Sequence, residues 1–224
     1  MTTVAEGLSE TKARIDRAAR AAGRDPGTIL LVAVSKTKPA SAIREAYDAG
    51  HRDFGENYAQ ELVEKAATLA GLDIRWHFIG HLQSNKARVV APIASLVHTV
   101  DSIGLARELA KRAAKAVRKL PVLVEVNVGG EAQKHGASPG DVAAVLDAIE
   151  AEETLVLRGL MTVPPVDLES ARRAFQSLGE LRDRCGGPAR LPELSMGMTH
   201  DLEVAIACGA TIVRVGTAIF GARS

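Results

Sequence analysis

The sequence predicts an α/β chain, residues 1–224 as one domain, closed into a single (β/α)8 TIM barrel with an extra N-terminal helix. Three observations carry that expectation. Eight short strand-like runs each give way to a stretch with helical spacing, and the alternation runs the length of the chain. The first run, Leu30 to Ser35, is dominated by Val, Leu and Ala, as a parallel strand covered on both faces is. The length of 224 residues is compact for this barrel, which usually takes about 250. A doubly wound open sheet is the competing arrangement, since strand order is not written in one sequence. Against it, no Gly-rich dinucleotide fingerprint follows the first strand.

The elements follow in order. Thr3 and Glu6 stand at capping-box spacing. Leu8, Ile15, Ala18 and Ala19 then mark a leading helix, within residues 1–22, that ends at Gly23. The first strand, 30–35, runs to Lys36, and Pro39 opens a helix that Gly50 closes. Residues 52–58 form a short strand running into a helix whose buried face is Tyr58, Leu62, Ala66 and Leu69, stopped at Gly71. Strands follow at 75–79 and 96–100, the latter leading through Asp101-Ser102 as a cap into a helix to about Lys119. A fifth strand covers 122–128, and Ser138-Pro139 caps the next helix. A sixth strand at 157–162 precedes a helix from Leu168 to about Arg184, ended by Gly186-Gly187-Pro188. The seventh strand is 193–197, and Thr199 starts a helix that Gly209 terminates. The eighth is 211–216, with a last helical turn from Thr217. No low-complexity linker or charge run divides the chain.

Composition narrows the function classes. Aromatic residues make up 3% of the chain, so aliphatic side chains must fill the core. A net charge of +1 gives no electrostatic case for nucleic acid. The two cysteines, Cys185 and Cys208, are too few for a metal cluster or disulfide framework and suit a reducing compartment. No apolar run approaches the roughly 18 residues of a membrane span. Glu6 and Glu10 stand where a signal peptide would need its apolar core. The expectation is a cytoplasmic protein.

Lys36 is the first candidate for chemistry. A lysine ending an apolar strand sits where α/β proteins place their sites, and its amine could condense with an aldehyde to form a Schiff base. A solvated loop lysine is the plainer alternative. Phosphate in such barrels is often held after strands seven and eight. Thr199 and the pair Gly216-Thr217 stand on those loops, where free N–H groups favour an anion; each threonine could equally be a simple N-cap. Arg214 alternates inward with Ile212 and Gly216 and needs a buried acceptor. Glu125 is one candidate partner, a ligand's ring nitrogen or carboxylate the other. His77, His81 and His98 show no metal-ligand spacing. Ser35 and Ser195 lack a nucleophile elbow, and Cys208 reads as packing.

Five blocks share one resemblance: Ala33-Val34-Ser35-Lys36, Phe54-Gly55-Glu56-Asn57-Tyr58, Trp76-His77-Phe78-Ile79-Gly80-His81-Leu82-Gln83-Ser84-Asn85-Lys86, Leu194-Ser195-Met196-Gly197-Met198, and Val213-Arg214-Val215-Gly216-Thr217-Ala218-Ile219-Phe220-Gly221. In order and in detail the chain resembles the pyridoxal 5′-phosphate (PLP) homeostasis protein family. The resemblance implies a fold type III barrel like the N-terminal domain of alanine racemase, with PLP held as an internal aldimine on Lys36. It assigns Asn57 to the cofactor ring, Arg214 to the pyridine nitrogen, and Thr199, Gly216 and Thr217 to the phosphate. The family usually has Ser at position 199, so Thr keeps the hydroxyl and adds a methyl. Lys38 stands two residues from Lys36, and spacing alone does not separate the two amines.

An arginine against the pyridine nitrogen favours its unprotonated form and weakens the cofactor as an electron sink. Racemisation also needs a second acid/base, which the resemblance places in a domain of alanine racemase that this chain does not extend to. The expected function is therefore non-catalytic: storing, buffering or delivering PLP to PLP-dependent apoenzymes, with effects on amino-acid and keto-acid balance, by a monomer. The alternatives are a PLP-dependent amino-acid racemase, a Schiff-base aldolase on a phosphosugar, and a barrel face that binds a partner protein.

Overall fold

Strand β1 (Leu30–Val34) is apolar throughout because both of its faces are covered. Seven further strands follow: β2 (Asp53–Glu56), β3 (Arg75–Phe78), β4 (Leu96–Val100), β5 (Leu120–Glu125), β6 (Leu155–Met161), β7 (Glu193–Ser195) and β8 (Ile212–Val215). They pair in parallel in chain order, and β8 closes on β1 with Leu30 opposite Ile212 and Ala33 opposite Val215. This is the expected (β/α)8 barrel, and closure excludes the open sheet. The computed structural model describes residues 3–131 and 134–222. Positions 1 and 2 of the expected leading helix, and 223 and 224 at the other end of the expected domain, lie outside them.

The helices are α1 (Val4–Ala21), α2 (Ala40–Asp48), α3 (Ala59–Thr68), α4 (Ala87–Val90), α5 (Ile103–Lys115), α6 (Val142–Glu150), α7 (Leu168–Arg184), α8 (Gly187–Arg190), α9 (Leu202–Ala207) and α10 (Thr217–Phe220). Helix α1 opens on the expected capping box, with Thr3 and Glu6 exchanging backbone-to-side-chain bonds. It buries Leu8, Ile15 and Ala19 and packs against α9 and α10. Gly7 permits this approach, since a Cβ there would lie 2.6 Å from the Ala218 carbonyl oxygen.

Strand alternation sorts the core into two layers. Leu31 and Ala33 face outward to the helices, whereas Val32 joins Leu96, Leu123, Met161 and Ile212 in a small cluster inside the barrel. Room for this cluster comes partly from Gly55, where a Cβ would meet the Val32 side chain at 2.9 Å. The same period of two carries the next inward residues to the carboxyl ends of the strands. On β1 that residue is Lys36, on β2 Asn57, and on β8 Arg214 followed by Gly216. These four positions converge because β8, β1 and β2 run parallel in continuous register, Val32 opposite Arg214 and Val34 opposite Gly55.

Four local expectations need correction. Tyr58 is 53% exposed and precedes α3 instead of lying on its buried face, which is built on Leu62 and Lys65. β5 begins two residues early and ends at Glu125, because the Asn127 amide donates to the Glu131 and Lys134 carbonyls and turns the chain away; Val126 keeps one bridge to Ala137. Ser138 does not cap α6: its hydroxyl donates to the Asp141 carboxylate, and the helix starts at Val142. Thr199 does not start a helix either. Asp201 closes a turn by bonding both ways with the Met198 backbone, and α9 begins after it.

Candidate functional site

A cavity of about 400 Å³ opens at the carboxyl ends of the strands. Lys36, Asn57, Thr199, Arg214, Gly216 and Thr217 all line it, although the sequence spreads them over 182 positions from 36 to 217. Val34 and Ile79 form apolar wall, and Pro164, Pro165 and Val166 form one rim. The size falls within the range of small-molecule sites. The Asn57 Oδ1 atom is buried there with no hydrogen-bond partner among the described residues. Asn57 is held in place by close backbone packing: a Cβ on Gly80 would lie 2.1 Å from the Asn57 carbonyl oxygen.

Lys36 sits on a turn that is braced from below. The next residue, Thr37, has φ 63°, a left-handed conformation that a β-branched residue adopts only under constraint. The constraint is visible. The Thr37 N–H donates to Glu61 Oε2 at 2.8 Å, and Lys65 Nζ donates to that same oxygen at 2.7 Å. Lys65 Nζ also donates to the Ser35 carbonyl and to Glu56 Oε1, both at 2.8 Å, and the Ser35 hydroxyl donates to Glu56 Oε1 at 2.6 Å. Burial pushes the Glu56 carboxyl up from its ordinary value, against the pull of Lys65 and Ser35. Both neighbours of Lys36 are therefore fixed by one buried ion cluster. Lys38 points elsewhere, donating through Nζ to the Ala222 carbonyl at 2.6 Å.

Arg214 is buried at 4% exposure and reaches the cavity from inside the barrel. Its guanidinium does not pair with Glu125. It donates to the Ser195 hydroxyl at 2.7 Å and to the Thr162 carbonyl at 3.0 Å, while Glu125 Oε2 has no hydrogen-bond partner among the described residues. Burial lowers the guanidinium to about 10, with Glu125 and Asp201 opposing, so it remains cationic at neutral pH. Burial raises the Glu125 carboxyl to about 7, helped by the nearby Asp101 and opposed by Arg214.

The expected core histidines are more connected than their spacing suggested. His98 Nδ1 lies 2.8 Å from Ser195 Oγ, His98 Nε2 lies 2.9 Å from His77 Nδ1, and His77 Nε2 lies 3.2 Å from Asp53 Oδ1. Each is a buried polar residue within a strand, the one signal by which the sequence could have marked them. His81 is at the rim, stacked on His135 with ring centroids 3.7 Å apart. Cys208 and Cys185 are free thiols packed against the outer core. Among the described residues, no three His, Cys, Asp or Glu side chains are grouped to hold a metal ion, and no helix is long and apolar enough to cross a membrane.

Residues 8–224 match the family described as alanine racemase, N-terminal domain. A pyridoxal phosphate homeostasis protein of Pseudomonas aeruginosa is 51% identical, over 100% of this chain and 97% of its own length. Its counterpart in Aquifex aeolicus is 45% identical over 97% of each chain. The chain belongs to the pyridoxal phosphate homeostasis protein family. Solved structures agree with that membership. PipY of Synechococcus elongatus, solved with PLP bound, is 37% identical with a TM-score of 0.83, covering 98% of this chain and 100% of PipY. An alanine racemase of Clostridium difficile shares the fold at 14% identity and a TM-score of 0.72, with this chain covering 56% of its length. The homeostasis family thus has the type III barrel that the sequence motifs implied.

Proposed function

We propose that this chain binds PLP in the cavity at the carboxyl ends of the strands and serves to hold and release it, without catalysing a reaction. One observation carries the reading: all six residues that the family resemblance assigns to PLP line a single cavity. The donor set fits the group. Lys36 supplies a primary amine, which condenses with an aldehyde by loss of one water and is freed again by hydrolysis. Arg214 supplies a cationic donor fixed by Ser195 and Thr162. Asn57 lines the same cavity and adds a side-chain amide. Thr199 and Thr217 offer hydroxyls, and Gly216 leaves no side chain between the backbone and an anion. Bound PLP supplies a reactive aldehyde and a conjugated ring; the protein supplies position.

Arg214 also argues against turnover. A permanently protonated donor aimed at a ring nitrogen disfavours protonation of that nitrogen, and the ring then stabilises a carbanion poorly. Holding without reacting suits a protein that buffers the free aldehyde and passes it to PLP-dependent apoenzymes. Between the two neighbouring lysines, the reading assigns the covalent bond to Lys36, because Lys36 lines the cavity and Lys38 does not, its Nζ donating to the Ala222 carbonyl.

The test is direct. PLP added to the purified protein should give a yellow species, and borohydride should fix it on Lys36 in a peptide map. Lys36→Ala should remove the colour, whereas Lys38→Ala should keep it. Label on Lys38 alone would move the assignment, and a colourless wild-type protein would end the proposal. Amino-acid racemisation by the loaded protein at rates of an ordinary enzyme, on the order of 1 s⁻¹ or above, would favour the racemase reading instead.

A further inference from the structure

Inside the barrel, below the cavity, five polar side chains from five strands make one unbroken line. Arg214 on β8 bonds Ser195 on β7, Ser195 bonds His98 on β4, His98 bonds His77 on β3, and His77 bonds Asp53 on β2. Asp53 itself is gripped from outside by Arg75, through bonds of 2.8 and 2.6 Å. All five are at most 5% exposed, with Ser195 and His98 at 0%. A polar chain this deep is expensive unless every member is satisfied.

Its polarity is fixed from the two ends. Burial opposes ionisation of Asp53, but hydrogen bonds from His77 and Arg75 overcome it and hold the carboxyl at about 2, so it only accepts. His77 must then carry a proton on Nε2, and in the arrangement proposed below that is its one proton, so Nδ1 accepts. His98 donates from Nε2 to that nitrogen. Burial, with the Arg214 charge beside it, holds His98 well below its ordinary value, so the ring is neutral and, donating from Nε2, accepts at Nδ1. The Ser195 hydroxyl therefore donates to His98 and keeps its lone pairs for Arg214, which only donates. Every bond points from the cavity toward Asp53.

We propose that Ser195, His98, His77 and Asp53 are positioning residues that hold the Arg214 guanidinium in the cavity through this one-way chain. The inference rests on Arg214 meeting PLP, as proposed above, but the chain itself is a property of the protein alone. An imidazole in the wrong tautomer would present a donor to a donor, so the anion at the floor of the barrel dictates the hydrogen-bonding state of the group at its mouth. Simple packing would need none of these orientations.

Two measurements decide it. Nitrogen-15 NMR of the histidines in the protein without PLP should show His77 and His98 both neutral with the proton on Nε2. In Asp53→Asn, where the anion no longer pins His77, the Nδ1–H form should become detectable at His98, one ring removed from the change. A wild-type His98 protonated at Nδ1 would overturn the chain. With PLP, Ser195→Ala should bind about tenfold more weakly, as for one lost charge-assisted hydrogen bond, and show a displaced visible band. Asp53→Asn should bind roughly threefold more weakly with a displacement of the same sign. If both variants match wild type in affinity and spectrum, the positioning role is wrong. Should the wild type take up no PLP at all, the functional reading falls, and the tautomer pattern still decides the chain. If Ser195→Ala does not fold, the wild-type NMR and Asp53→Asn arms remain.

Discussion

Glu125 shows how one side chain links burial to pH. Its carboxyl is 7% exposed, one oxygen lacks a hydrogen-bond partner among the described residues, and Arg214 attracts it without bonding it. Burial raises its titration from the ordinary 4.5 to about 7. The folded state thus prefers the protonated acid. Its stability is full below about pH 4.5, falls as pH rises through about 7, and stays reduced above that. Glu125→Gln keeps the shape and removes the ionisation. The variant should therefore match wild type near pH 4.5 and exceed it above pH 7, by a gain on the order of 3 kcal/mol. Thermal melts at pH 5 and pH 8 would show the gap opening with pH. Equal melting at both would mean that the carboxylate finds a compensating partner on ionising. Thr37 sits at the same scale: its left-handed backbone is strain placed one residue from Lys36.

At the scale of elements, that strain is held by α3 reaching under the end of β1. Lys65 is one turn beyond Glu61 and bonds Glu56, Glu61 and the Ser35 carbonyl together. Removing the ammonium leaves the Glu56 carboxylate buried without its counter-charge. Lys65→Met should therefore destabilise the fold by roughly 3–5 kcal/mol, lowering the melting temperature by on the order of 10 °C in a chain of this size. Adding Glu56→Gln should restore part of it; a double variant no better than the single would show that the ion cluster is not the reason. Much of this architecture was legible in the sequence. The expected helix from Leu168 to about Arg184, stopped by Gly186-Gly187-Pro188, matches α7, and the expected strand 96–100 matches β4. Five of the six cavity residues were legible from strand ends and the loops that follow them, whereas Asn57 came only from the family resemblance. Lys65 was not, since an amphipathic helix predicts an apolar residue where a lysine is buried. The helix expected at Thr199 failed because the Asp201 side chain captured the Met198 N–H and delayed it. The line from Arg214 to Asp53 was invisible for another reason: His98 and Ser195 are 97 positions apart, and only barrel closure makes them neighbours.

At the scale of the molecule, α1 packs on α2 from the start of the barrel and on α9 and α10 from its end, and it also bonds the loop that carries Thr199. Leu8 and Ile15 are almost fully buried, which contributes about 1.5–3 kcal/mol each. Together they rival the roughly 5–15 kcal/mol net stability of a typical protein. A chain lacking residues 1–22 should therefore lose cooperative unfolding, not only a few degrees. The finer consequence concerns Arg14, whose Nη2 donates to the Thr199 carbonyl at 3.0 Å and, together with Nε, to the Glu203 carboxylate. This guanidinium ties the leading helix to the loop that brings Thr199 to the cavity wall. Because the pair with Glu203 is largely solvated, it is worth at most about 1 kcal/mol. Arg14→Leu should then melt within about 3 °C of wild type, yet bind PLP about threefold more weakly as the loop loosens. Equilibrium dialysis beside a thermal melt separates the two effects. A variant with unchanged affinity would confine α1 to stability, and one that loses both together would show that the loop and the barrel unfold as a unit.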